Sequence, residues 1–164
     1  MKIKRIFSVL SLIFVIANLG LAQSNYHSKD VLIGVWVDFR SYGGAGDGNT
    51  YIFRKDGSFT FKYSQYNWAG RRIISFSGRF QLSTDSIFFR ITETRELVGG
   101  HIDNDGPPLG LGWVIVDASE KVIKQRRSQS IGLDLSFKRR DEKDFILIDH
   151  NEYILVSRNP NEKR

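Results

Sequence analysis

Cysteine is absent from the 164 residues. That excludes a disulfide, a thiolate metal centre and a lipid anchor on cysteine. Also lacking is any stretch with apolar residues at helical spacing over several turns, so a helical bundle is not expected. No internal repeat or linker divides the chain, whose length suits one domain. A strong charge of one sign is missing too. The formal net charge is +6, but Lys2, Lys4 and Arg5 stand together at the start with no acid among them. The rest of the chain carries about half that excess, which argues against a dedicated nucleic-acid binder.

Apolar runs of membrane-spanning length, roughly 20 residues, are missing as well. The longest, over residues 6–16, is interrupted by Ser8 and Ser11 and closed by Asn18 and Gly20. It follows the basic n-region and precedes Gly20-Leu21-Ala22, with small residues three back and one back from a cut after Ala22. This layout predicts a secretory signal peptide over 1–22, with a permanent membrane anchor as the competing reading. A secreted or periplasmic protein is expected, with no lipid-bearing cysteine and no transmembrane segment after cleavage. Residues 23–30 read as a linker or short helix that Ser28 would cap. The domain proper is placed at 31–158, and 159–164 is a polar tail. Its core must hold it unaided, and a domain of about 150 residues buries about 68–70% of its unfolded surface.

The pattern that is present has a period of two. Phe59, Phe61 and Tyr63 alternate with Ser58, Thr60 and Lys62. Ile87, Phe89 and Ile91 alternate with Phe88, Arg90 and Thr92. Leu133, Leu135 and Phe137 alternate with Gly132, Asp134 and Ser136. Successive strand side chains point to opposite faces, so each segment has one face for a core. Strands are expected at 33–39, 49–54, 59–63, 73–82, 86–94, 113–116, 121–126, 131–138, 145–149 and 153–157. Asp56-Gly57 marks a tight hairpin because the pair accepts positive φ cheaply. Turns are also expected at 83–85, at 117–120 and at His150-Asn151. Links this short join antiparallel neighbours. The fold class is therefore all-β, an antiparallel up-and-down meander barrel of about eight to ten strands. In such a meander the long loops 41–48 and 99–112 fall at one open end with 65–71, and the tight turns at the other.

The chemistry-bearing motifs are incomplete. The glycines at 43, 44, 46 and 48 lack the following helix and the Gly-Lys-Ser/Thr of a phosphate loop. Asp103-Asn104-Asp105-Gly106 resembles the start of a calcium loop but lacks the later carboxylates. His27, His101 and His150 lie far apart, no Gly-x-Ser-x-Gly occurs, and no pair stands out among Glu93, Glu96, Asp103 and Asp105. No catalytic residue, metal or cofactor is expected. Aromatic residues are the larger signal: Tyr51, Phe59, Phe61, Tyr63, Phe76, Phe80, Phe89 and Phe137 are expected to point inward. In a barrel of about eight strands the lumen barely admits side chains or one small ligand. Basic residues crowd 121–143, at Lys121, Lys124, Arg126, Arg127, Lys138, Arg139, Arg140 and Lys143. They form a solvated face or a patch for an anionic partner.

Gly34-Val35-Trp36 opens the first strand, and the chain from Tyr51 to Phe61 reads strand, Asp56-Gly57 turn, aromatic strand. Ser77-Gly78-Arg79-Phe80 runs towards Ser86-Ile87 through Thr84-Asp85. These segments resemble the lipocalins, and bacterial lipocalin-like domains in particular. The resemblance implies that Trp36 closes the barrel base, that Arg158 packs over it, and that the barrel binds a small apolar molecule. Gly34, Trp36, Asp56, Gly57 and Arg158 are then structural. Tyr63, Trp68, Phe76 and Trp113 are the expected lining of a ligand site at the open end.

Three readings of function follow. The first is binding of a small apolar or amphipathic ligand at the open end. The second is a packed barrel serving as a structural or protein-interaction module of the cell envelope, with the 121–143 region as its partner surface. The third, an enzyme, needs a histidine or two carboxylates to meet in a cleft.

Overall fold

A computed structural model describes residues 29–42, 48–64, 71–103, 114–128 and 130–161. The expected signal peptide, Trp68, Trp113 and most of both glycine-rich loops lie outside these residues. A single turn of helix, α1 (Lys29–Leu32), leads into β1 (Gly34–Asp38). A second, α2 (Phe39–Tyr42), turns the chain back outside it. Then come β2 (Thr50–Phe53), β3 (Ser58–Lys62), β4 (Ile73–Leu82), β5 (Ser86–Asp103), β6 (Val114–Lys124), β7 (Ser130–Arg140), β8 (Lys143–Ile148) and β9 (Asn151–Ser157). No described helix is long and apolar enough to cross a membrane.

All pairings are antiparallel, and β1 joins β9 to close the sheet. The ring runs β1-β2-β3-β4-β5-β7-β8-β9, an eight-stranded barrel with β6 outside it. β5 is the longest strand, at 18 residues. Ser86 to Arg90 pair with β7, and Glu93 to Asp103 pair with β6, along the same edge. On the other edge β4 reaches no further than Glu96. Past that point β5 and β6 leave the wall as a two-stranded arm.

The arm corrects the expected strand count. Residues 117–120 do not reverse the chain; they lie inside β6, whose pairing with β5 continues without a shift in register. The two segments expected at 113–116 and 121–126 are one strand. Asp117 does adopt positive φ, at 58°, opposite Gly100 at 68°. The result is a twist within a ladder, not a hairpin. Another correction is one residue in size: Asp149 and His150, with φ of 48° and 64°, make the last turn, rather than His150 and Asn151. Asp141 and Glu142 make a matching turn between β7 and β8, with φ of 51° and 60°.

Alternation places the core. Trp36, Phe53, Phe59, Ile87 and Ile146 are almost completely buried, with Tyr51, Phe61, Phe80, Phe89 and Tyr153 beside them. Tyr63, Phe76 and Phe137 pack against this cluster while partly exposed. A smaller apolar layer lies outside the wall, where Val37, Ile154 and Phe145 face one way across β1, β9 and β8. Phe39 of α2 covers it edge-on at 5.4 Å from Phe145, and the Arg140 guanidinium sits over both rings.

Candidate functional site

The two ends of the barrel differ in kind. At the base, where β1 begins and β9 ends, Trp36 fills the lumen and its Nε1–H donates to the Leu32 carbonyl at 2.7 Å. Gly34 has a φ of 142°, and a side chain there would collide with the Ser157 backbone. That absence lets β9 approach closely enough to bring Arg158 under the tryptophan. Arg158 donates to the Val31 carbonyl at 2.6 Å and to Asp144 Oδ2 at 2.6 Å. Its guanidinium lies 5.9 Å from the Trp36 ring. The base is thus tied together by one cation that satisfies the end of α1 and a β8 carboxylate at once.

The β2–β3 turn lies at the same end. Asp56 Oδ1 accepts the Ser58 amide at 2.8 Å, and Gly57 takes a φ of 82°. The hydrogen bonds from Ser58, with help from Arg79 and Arg54, hold the Asp56 carboxyl below its ordinary pKa. An open depression of about 440 Å³ lies beside this turn, lined by Arg54, Lys55, Arg158 and residues 159–161. Arg158 is neutralised there by Asp144, and Arg54 is engaged with Thr60.

Inside the lumen, aromatic rings from several strands meet. Tyr51 of β2 stacks on Phe89 of β5 at 5.6 Å and meets Phe61 at 4.6 Å and Tyr153 of β9 at 5.0 Å. Phe89 also touches Phe59 at 4.5 Å and Phe53 at 6.1 Å. β2 and β5 stand three places apart around the wall, so these contacts cross the lumen. Rings at such distances add to the free energy of burying them. Above this layer Phe61 stacks on Phe76 at 4.8 Å, and Tyr63 stands edge-on to both. The Arg71 guanidinium covers Tyr63 at 4.0 Å from its centroid. Asn49 ties the rim: its Oδ1 accepts the Ser64 amide at 2.9 Å, and its carbonyl accepts the Asp38 amide at 2.9 Å.

Desolvation raises the pKa of the Tyr51 hydroxyl above its usual value, and the Tyr153, Tyr63 and Asp149 charges add to it. Desolvation does the same at Tyr153, reinforced by Asp38, Tyr63 and Asp149. Both phenols therefore stay neutral among the buried rings.

Of the expected lining residues, Tyr63 and Phe76 come together, whereas Trp68 and Trp113 lie outside the described residues. Sequence reasoning missed Tyr153, Arg71 and Asn49. Alternation within β9 marks Tyr153 as inward-facing and could have found it; the roles of Arg71 and Asn49 depend on loop paths that no period reveals. Among the described residues, histidines and carboxylates do not converge. His101 meets only Asp117, at 3.8 Å on the exposed arm, and His150 sits in a turn. Among the described residues no three His, Asp or Glu side chains gather as a metal site. The basic residues of 121–143 are spread out. Lys121 and Lys124 are on β6, while Lys138, Arg139 and Arg140 end β7, a strand of 11 residues. At about 3.3 Å per residue, that separates the two groups by more than 30 Å. Arg139 and Arg140 also face Asp144 and Glu152.

This geometry defines a class: a closed, antiparallel, up-and-down barrel of eight strands, compatible in form with the lipocalin-like barrels, with one further strand outside the wall. Comparison with protein-family models, curated proteins and solved structures finds no match.

Proposed function

We propose that the chain is an exported lipocalin-like barrel that works as a protein-interaction module of the cell envelope, through its outer surface and arm rather than through its lumen. One observation carries this reading: Phe89 reaches across the barrel to Tyr51, Phe53 and Phe59. A carrier of drug-sized molecules keeps about 300 Å³ or more for its cargo, whereas these rings meet from opposite walls of the lumen. The leader-like first 22 residues support export.

A second reading has its own observation. Tyr63 and Phe76 meet edge-on at the mouth and are only partly buried against the core. A small amphipathic ligand would then lie over Tyr63 and Phe76.

Native mass spectrometry of the protein purified from its own host separates the two. The packed module predicts the bare chain mass and no saturable binding of an apolar fluorophore. Phe89→Ala should then create a binding site that the wild type lacks, since an apolar cavity of sufficient size accepts small apolar molecules. A stoichiometric small-molecule adduct on the wild type would overturn the module in favour of the mouth site.

A further inference from the structure

Among the described residues, the arm leaves a strand edge open. The sheet order ends at β6, and no described strand pairs with its outer edge. Asp117, Ser119, Glu120, Lys121 and Val122 are exposed, Val122 by 46%. The inner ladder fixes which groups point outward. The Gln125 amide donates to the Thr92 carbonyl at 2.8 Å, and the register of β6 on β5 is constant from Lys124 to Val114. Odd-numbered residues therefore direct their amides and carbonyls to β5. Even-numbered residues from 114 to 124 direct theirs to the open side.

The sequence along that edge is self-complementary. Outward from Ser119 in the two directions it reads Ala118 and Glu120, Asp117 and Lys121, Val116 and Val122, Ile115 and Ile123. A second copy laid antiparallel about a two-fold axis through Ser119 sets valine on valine, isoleucine on isoleucine and Asp117 on Lys121, twice over. The even-numbered pairs then face each other with their free backbone groups, as an antiparallel ladder requires. Neighbouring registers lose this match. Moving the axis to residue 120 sets Glu120 against itself and Asp117 against Ile123. Moving it to 118 sets Ile115 against Lys121.

We infer that β6 is a docking strand for a second copy of this chain, paired edge to edge about Ser119. The inference rests on the interaction-module reading and names one partner for it. An isologous strand pair of this kind closes on itself, so it yields a dimer and not a fibre. The left-handed backbone at Asp117 twists the edge beside the axis, and such twists weaken edge pairing. Arg95 and His101 also draw on Glu120 and Asp117 within each copy. The dimer is therefore reversible and concentration-dependent.

Cysteine is absent from the chain, so a single introduced thiol gives a clean readout. On the axis, Ser119 and its mate form a non-hydrogen-bonded pair with Cα atoms about 4.5 Å apart, within reach of a disulfide. Ser119→Cys should give a covalent dimer under mild oxidation. Lys124→Cys, on the same strand but about 34 Å from its mate, should give at least tenfold less. In sedimentation, Lys121→Asp and Asp117→Lys should each weaken self-association roughly tenfold. Mixing these two variants should restore association, because each then meets the opposite charge. Equal crosslinking at the two positions, a mixture no tighter than its components, or a wild type that stays monomeric at millimolar concentration would each overturn the inference. The packed-lumen reading would survive all three results, since none of them probes the lumen.

Discussion

β5 is one strand in two environments. Its first part lies in the barrel wall between β4 and β7, where Ile87 is fully buried and Phe89 is 4% exposed. Its last part has β6 as its neighbour on one edge and runs beyond β4, and there Val98 and Ile102 are 40% and 51% exposed. Apolar residues occur in both parts. Face and neighbours together decide their fate: Phe88, on the outer face of the wall, is as exposed as Val98, while the inner face is buried where the sheet curls over it. The wall part therefore carries stability, and the arm is free to carry recognition.

The largest effect should come from the wall at its tightest point. Trp36→Ala removes the ring that closes the base and leaves Arg158 and the Leu32 carbonyl without it. Chemical denaturation should show a loss of about 3–5 kcal/mol, as for other truncations of buried tryptophan. Unfolding at the wild-type temperature would contradict the base-closing role. A smaller, pH-dependent effect should come from inside the lumen. Burial raises the pKa of both Tyr51 and Tyr153 in the folded chain. Above about pH 10 the unfolded chain loses these protons and the folded chain keeps them, so the unfolded state binds fewer protons. Stability should be insensitive to these groups below pH 10. It should fall above that by about 1.4 kcal/mol per pH unit for each tyrosine. Tyr51→Phe removes one such share, which urea titrations between about pH 9 and 12 can measure. A slope unchanged by the substitution would mean that water reaches the hydroxyl.

Much of the wall was legible in the sequence because a wall strand is wet on one face and dry on the other. The segment expected at 73–82 matches β4 residue for residue, and Asp56-Gly57 makes its turn. The arm defeated the same logic. Around residues 117–122 it is mostly exposed, so alternation fades, and Asp117-Ala118-Ser119-Glu120 in mid-strand looks like turn chemistry. The Asp141-Glu142 turn carried no glycine or asparagine to announce its positive φ. The basic residues of β6 and those at the β7–β8 turn are near in sequence but apart in space, because an extended chain moves them apart by about 3.3 Å per residue, whereas Arg140 and Lys143 face each other across that turn. At the mouth, Tyr63 and Phe76 followed from period two. Their closure by Arg71 did not, since a cation over a ring depends on how a loop returns.

The smallest effect tests the comparison most directly. Val98→Thr changes an arm residue and keeps a β-branched side chain of high strand propensity. Val98 is on β5, so the outer edge of β6 is untouched. The hydroxyl remains in water, and the change in stability should stay within about 0.5 kcal/mol. The same exchange in the wall, Ile87→Thr, removes buried methylene and places a hydroxyl among apolar rings, and should cost about 2–4 kcal/mol. Urea denaturation of the two variants side by side measures the difference. If Val98→Thr cost as much as Ile87→Thr, the arm would be packed against something in solution, and its freedom to dock a partner would be lost. If both cost little, the wall would be loosely packed, and the aromatic plug would leave room for a ligand after all.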